Sequence, residues 1–253
     1  MSKPRVVAVI PARYGSQRLP AKPLADIAGK PMIQHVYERA CAAELVDATL
    51  VATDDKRILE VVRAFGGRAV ITPESIQSGS DRVALVAQSL PDADIIVNVQ
   101  GDEPLLPPAM IDEAIRVVLD DMRAKVGTLV RKIEDVSDLS NPNVVKVALD
   151  RENFCLFFSR SPIPYGRDVD QSAWLHHHTY FKHVGLYAFR REFLLKFTTM
   201  TPTPLEQTEK LEQLRILESG YKIKAAMTQH DSVPVDTEAD LARVRSLFET
   251  TAP

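Results

Sequence analysis

The chain has 253 residues, 45% hydrophobic and 26% charged, with a formal net charge of −3. That is the balance of an ordinary globular protein with a sizeable core, and the mild negative charge argues against a general nucleic-acid binder. The first apolar run stops after five residues at Pro11, too short for a signal-peptide core, and no later run is long enough for a bilayer, so a cytoplasmic protein without membrane contact is expected.

Val6, Val7, Ala8, Val9 and Ile10 read as a buried parallel strand, because both faces are apolar and most of the residues are β-branched. Pro11 is expected to end it. A loop follows with Arg13, Gly15, Ser16, Arg18, Pro20, Lys22 and Pro23; from Met1 to Ala25 there are five basic residues and no acid. A strand that empties into a small-residue, cationic loop is how α/β proteins receive phosphates. The spacing matches neither a Walker A loop nor a dinucleotide fingerprint, and on spacing alone a solvated basic turn explains it equally well.

Pro31 marks a helix start, with Ile33, Val36, Tyr37 and Ala40 on one apolar face. Residues 48–53 form a second strand. Asp54 and Asp55 cap a helix that runs to Phe65 and ends at Gly66-Gly67, and 68–71 is a third strand. This alternation predicts βαβ units and a mostly parallel sheet. Ser78-Gly79-Ser80-Asp81 has the pattern of a capping box opening a helix to Leu90; free N–H groups at such a start also bind anions.

Residues 94–99 form a buried strand delivering Gln100-Gly101-Asp102-Glu103-Pro104 to the carboxyl edge of the sheet. Asp102 there is a candidate Mg²⁺ ligand, since that ion needs only one or two carboxylates beside phosphate oxygens and water. Glu103 is expected to be a solvated turn residue. A helix over 107–122, a strand over 126–130, a turn at Asn141-Pro142-Asn143 and a hairpin of 144–149 with 154–158 follow, so the sheet becomes mixed.

The stretch 160–182 breaks the pattern, with Pro162, Pro164, Gly166, Trp174 and His176 to His178. Neighbouring histidines on an extended chain point to opposite faces, so a surface loop and dimer contact is expected rather than a metal site. A strand over 183–189 puts His183 and Tyr187 on one face. One helix from Pro204 to near Gly220 carries Glu212, Gln213 and Arg215, and 221–228 is a strand. Thr237 caps the final helix, which leaves Asp236 free to point elsewhere and to converge with Asp102 at one sheet edge. Cys41 and Cys155 are expected to be reduced, packed thiols.

Eight ordered segments carry a resemblance. They are Pro11-Ala12-Arg13-Tyr14-Gly15-Ser16-Gln17-Arg18-Leu19-Pro20-Ala21-Lys22-Pro23-Leu24 with Gly29-Lys30-Pro31-Met32; Gln77-Ser78-Gly79-Ser80-Asp81-Arg82; Asn98-Val99-Gln100-Gly101-Asp102-Glu103-Pro104; Asn141-Pro142-Asn143-Val144-Val145-Lys146; Phe158-Ser159-Arg160; His183-Val184-Gly185-Leu186-Tyr187; Leu211-Glu212-Gln213-Leu214-Arg215; and Val235-Asp236-Thr237. Together they resemble the signature of the sugar-activating cytidylyltransferases, above all the branch that takes 3-deoxy-D-manno-octulosonate (Kdo). Ala21 departs from that pattern, which more often has Gly, and Glu238 stands where Pro is frequent.

The resemblance implies an α/β fold of the nucleotide-diphospho-sugar transferase type. This is a Rossmann-like, mixed but mostly parallel sheet with helices on both faces and a small β insertion lobe, in one domain over 1–253. It implies a reaction of CTP with Kdo to give CMP-Kdo and pyrophosphate, for lipopolysaccharide biosynthesis. Arg13, Ser16, Arg18, Lys22, Gln77, Ser78, Gly79 and Arg82 would line the nucleotide, and Gln100, Arg160, His183, Gly185, Tyr187, Glu212 and Gln213 the sugar. Asp102 and Asp236 would hold Mg²⁺, acting with Arg13, Arg18 and Lys22 in catalysis, and 160–182 would help to build a homodimer. A CMP-sialic acid synthetase, a cytidylyltransferase for an 8-amino Kdo analogue, a glycosyltransferase using a finished nucleotide sugar and a nucleotide-sensing module remain as alternatives.

Overall fold

The computed structural model describes residues 3–15, 18–76 and 78–251. Two compact units emerge. The first takes the chain up to 112, 189–198 and the part from 230 on; the second takes 113–188 and 199–229.

The first unit begins with β1 (Val6–Ala12), the two-residue strands β2 (Asp26–Ile27) and β3 (Lys30–Pro31), α1 (Met32–Cys41), β4 (Ala48–Thr53), α2 (Lys56–Ala64), β5 (Ala69–Ile71), α3 (Gly79–Gln88) and β6 (Ile95–Asn98). α4 (Pro108–Asp120) crosses into the second unit. The strand order in this unit is β6-β1-β4-β5, all parallel. β1, β4 and β6 are buried on both pleat faces, which is why they read as unbroken apolar runs.

β1 does not stop at Pro11. Pro11 lies opposite Ala52 and Ala12 opposite Thr53, while the pairing of β1 with β6 ends at Val9 and Asn98. Pro11 thus stands where one edge of the strand is already released, a position that tolerates a missing N–H. The chain leaving β6 passes close over it: a Cβ at Gly101 would lie 2.7 Å from the Pro11 carbonyl oxygen, so only glycine fits there. Of the two expected caps of α2, only Asp55 serves, accepting from the Arg57 N–H at 2.8 Å.

The second unit contains β7 (Val126–Lys132), α5 (Val136–Ser140), β8 (Lys146–Leu149), β9 (Cys155–Ser159), α6 (Trp174–His177) and most of β10 (Phe181–Arg190). After α7 (Arg191–Phe197), which belongs to the first unit, come α8 (Pro204–Glu209), α9 (Gln213–Glu218) and β11 (Ile223–Met227); α10 (Glu238–Thr251) returns to the first unit. β11 and β7 are parallel, whereas β8 runs antiparallel to β9 and β10, so the sheet is mixed as expected.

Three expectations fail here. Trp174 is buried with Ile133, Leu139 and Tyr180, so part of 160–182 is packed rather than a bare surface loop. His176 and His177 close α6 instead of lying on an extended chain; among the described residues no three His, Cys, Asp or Glu gather to hold a metal. The helix predicted from Pro204 to Gly220 is two helices, broken at Lys210, whose φ of 54° is left-handed. A carboxylate–guanidinium pair, Glu206 with Arg215, ties the halves together across the break. Both thiols are free as expected, and Cys155 is packed, whereas Cys41 is exposed. No described helix is long and apolar enough to cross a membrane.

Ala21 has φ 54° and ψ 27°, a conformation that costs an alanine about 1 kcal/mol relative to glycine. Ala21→Gly should therefore raise the unfolding free energy by about that amount in urea titrations; no gain, or a loss, would mean that the loop relaxes out of this conformation in solution.

Candidate active site

The basic loop is anchored by an apolar residue. Leu19 is buried with Ile27, Met32, Val235, Leu241 and Val244, and this small core brings the loop against the chain entering α10. Val235 in turn donates its N–H to the Asp102 carbonyl oxygen at 2.8 Å. Three segments distant in sequence are thereby gathered beyond the carboxyl end of β1, the usual ligand edge of an open α/β sheet.

Lys22 is where they meet. Its Nζ donates to Asp102 Oδ2 at 2.7 Å, to the Val235 carbonyl oxygen at 2.9 Å and to Asp236 Oδ1 at 3.1 Å. Arg18 reaches the other oxygen of Asp236 at 3.2 Å. Asp236 is free to do this because Asp240 makes the cap: Asp240 Oδ2 accepts from the N–H groups of Asp236 and Thr237, and Thr237 Oγ1 accepts from the Asp240 N–H. Around this cluster lies a cleft of ≈ 720 Å³, lined also by Arg13, Gly79, Arg82 and Gln100.

The far wall of the cleft is the start of α3. Ser78 is its N-cap, accepting from the Asp81 N–H at 3.0 Å. Arg82 is fully buried, and its guanidinium donates to Asp54 at 2.9 Å, to the Ile76 carbonyl oxygen at 3.0 Å and to Thr72. Asp54, expected as a helix cap, is instead the counter-ion of this arginine. Tyr14 is held under the Arg57 guanidinium, 3.4 Å from its ring centroid, which steadies the loop between Arg13 and Gly15. Ser16 and Gln77, both expected at the nucleotide, lie outside the described residues.

Glu103 is not the solvated turn residue expected. It is 9% exposed, and burial, with Asp102 and Asp231 nearby, pushes its carboxyl pKa up to about 7. The turn at Gly101-Asp102 carries Glu103 into the interior while Asp102 lines the cleft.

In the second unit the residues expected at the sugar form a separate polar group. Tyr187 and His183 lie on one face of β10 with ring centroids 5.3 Å apart, and Phe158 meets His183 edge-on at 5.0 Å. The Thr128 hydroxyl donates to the Leu186 carbonyl oxygen at 2.9 Å, so its oxygen accepts from His183 Nε2 at 3.0 Å. That assignment makes His183 the Nε2–H tautomer and leaves Nδ1 as an acceptor. Burial pushes its pKa down to about 3, so the ring is neutral at physiological pH. Burial, reinforced by Glu212, raises the Tyr187 phenol well above its ordinary value and keeps it a donor.

Arg160 donates to the carbonyl oxygens of Glu209 at 2.7 Å and Pro142 at 2.8 Å, and Glu209 accepts from the Arg160 N–H and the Ser159 hydroxyl. Its guanidinium has five N–H donors, so donors remain for a carboxylate. The helix break places Glu212 at the N-cap of α9 and Gln213, 7% exposed, in its first turn. Gly185 lies on β10 between His183 and Tyr187. Thr128, Asp54 and the Val235 carbonyl were not identified from sequence; nothing local marks them, because each acts on a partner distant along the chain.

Comparison with known proteins follows the same lines. Residues 7–223 match the family described as Cytidylyltransferase. The chain is 54% identical to the 3-deoxy-manno-octulosonate cytidylyltransferase of Geobacter metallireducens, over 95% of this chain and 96% of that protein. It is 55% identical to the protein of the same name from Geotalea daltonii, with the same coverage. A solved structure described as CMP:2-keto-3-deoxy-manno-octonic acid synthetase complexed with CTP superposes with a TM-score of 0.92 at 43% identity, covering 98% of this chain and 100% of that one. The 4-diphosphocytidyl-2C-methyl-D-erythritol synthase of Anaerococcus prevotii, 10% identical, shares the fold at a TM-score of 0.64 over 98% and 100% of the two chains.

Glu103 yields a pH prediction. Its folded pKa lies above the unfolded value, so its contribution to stability is complete below the usual carboxylate range and is lost as pH rises through about 7. In metal-free urea titrations Glu103→Gln should gain stability relative to the parent as pH rises from about 5 to about 8. Parallel stability curves for the two proteins would show that the carboxyl is not perturbed.

Proposed function

The chain belongs to the cytidylyltransferase family, and we propose that its first-unit cleft transfers a cytidylyl group from CTP to the sugar acid Kdo, with release of pyrophosphate. The observation that carries the reading is the meeting of Lys22, Arg18, Asp102 and Asp236 in that cleft. Cations and carboxylates at one sheet edge suit a polyphosphate bound with a divalent cation. Close relatives over nearly the full length named for this activity support the substrate pair.

Asp102 and Asp236 fit Mg²⁺. Both are oxygen donors, both line the cleft, and they already converge on a single cation, the Lys22 ammonium. When bound there, the ion supplies charge that shields the phosphates from the anionic sugar and makes the attacking hydroxyl more acidic. Arg13, Arg18 and Lys22 bind the phosphates and stabilise charge moving onto the departing pyrophosphate. Ser78, Gly79 and Arg82 form the nucleotide wall, and the resemblance assigns Ser16 and Gln77 to the nucleotide as well.

Arg160 offers a guanidinium to the sugar carboxylate, a planar acceptor suited to it. His183 Nδ1 accepts from a sugar hydroxyl and the Tyr187 phenol donates to one; Gln100, Glu212 and Gln213 add further hydrogen bonds, and Gly185 leaves room beside the rings. The segment 160–182, with Tyr165 78% exposed, serves as the contact of a homodimer, and the enzyme works in the cytoplasm. No protein nucleophile is needed.

A pyrophosphate-release panel crossing CTP, UTP and TTP with Kdo, 8-amino-Kdo and sialic acid, with and without magnesium, tests this reading. Release is expected only with CTP, Kdo and the metal; preference for sialic acid, or CTP binding without turnover, would overturn it. Asp102→Asn and Lys22→Ala should fold as the parent does yet lose about 100-fold or more in turnover. Near-parental release in both variants would remove those residues from the mechanism.

A further inference from the structure

Lys22 has a task before any phosphate arrives. Its ammonium has three N–H donors, and three acceptors take them: Asp102 Oδ2, Asp236 Oδ1 and the Val235 carbonyl oxygen. Arg18 covers the second oxygen of Asp236. Two carboxylates are thus met by two cations. With the Lys22 side chain only 16% exposed, these contacts are less screened than a surface ion pair.

We infer that in the nucleotide-free protein the Lys22 ammonium occupies the place of the divalent cation between Asp102 and Asp236 and competes with it there, and that a triphosphate opens the cation site by drawing Lys22 and Arg18 onto itself. This rests on the metal reading of the two aspartates given above. A divalent ion arriving alone must displace an ammonium whose every donor is satisfied, and gains little from carboxylates already neutralised. A triphosphate changes that balance: it offers several anionic oxygens to Lys22, whose flexible four-carbon stem can re-aim without moving the backbone. The vacated carboxylates then carry uncompensated charge beside phosphate oxygens, a donor set that suits Mg²⁺. Metal and nucleotide therefore bind with positive coupling, and by linkage each raises the affinity for the other by the same factor. The unliganded site is also protected from idle occupation by metal.

The test uses Mn²⁺ as probe on the full chain, with free ion read by electron paramagnetic resonance. Without nucleotide, Lys22→Met should bind Mn²⁺ about tenfold or more tightly than the parent, at a site that Asp236→Asn abolishes. A non-hydrolysable α,β-methylene analogue of CTP should raise the Mn²⁺ affinity of the parent much more than that of Lys22→Met. Equal Mn²⁺ affinity of parent and variant without nucleotide overturns the inference while leaving the transferase reading intact. Absence of Mn²⁺ binding in both, even with the analogue, overturns the metal reading as well.

A second measurement needs no variant. In the nucleotide-free parent, acetylation of Lys22 by acetic anhydride, followed by mass spectrometry, should rise several-fold when saturating Mg²⁺ replaces sodium at matched ionic strength. Unchanged labelling with Mg²⁺ demonstrably bound would overturn the inference.

Discussion

The candidate site depends on one constraint: two partly buried carboxylates must be held close together, and like charges in such a place need a cation between them. Lys22 meets that need, and much of the surrounding structure serves to bring it there. Leu19 pins the basic loop into the apolar core under α10. Val235 is tied by its N–H to Asp102 and by its carbonyl to Lys22. Thr237 and Asp240 cap α10 between themselves, so Asp236 is left for the cleft. Removal of any one of these supports would loosen the cluster without touching a charge in it.

The two units carry different chemistry. In the first, the site is electrostatic, with exposed arginines and partly buried acids suited to polyphosphate and metal. In the second, the polar group is held neutral: burial keeps His183 unprotonated and Tyr187 protonated, and Thr128 selects the histidine tautomer. Neutral donors and acceptors with defined roles discriminate hydroxyl patterns, because a mismatched partner leaves a buried polar atom unpaired.

Elements with strong local signals were legible in the chain. The βαβ alternation through β6, the hairpin of β8 and β9, the N-caps at Asp55, Ser78 and Thr237 and the buried first strand follow from periodicity and cap chemistry. What was missed shares one cause. Pro11 continues β1 because β6 has already left that edge; α8 and α9 separate at a lysine with no sequence mark of a left-handed φ; Glu103 is buried although its neighbour is not. In each case a contact from elsewhere in the chain outweighs local propensity.

The sequence by itself determined the class of fold, the family resemblance and the cast of charged residues, because hydrophobic period, turn chemistry and motif spacing are local properties of a chain. Only the tertiary structure decided which of those charges meet. That Lys22 sits 2.7 Å from Asp102 and 3.1 Å from Asp236, that Asp54 answers Arg82, and that a threonine on β7 hydrogen-bonds a histidine on β10 are facts of long-range packing. Coulomb and hydrogen-bond energies depend on distance in space, and separation along the chain does not encode that distance.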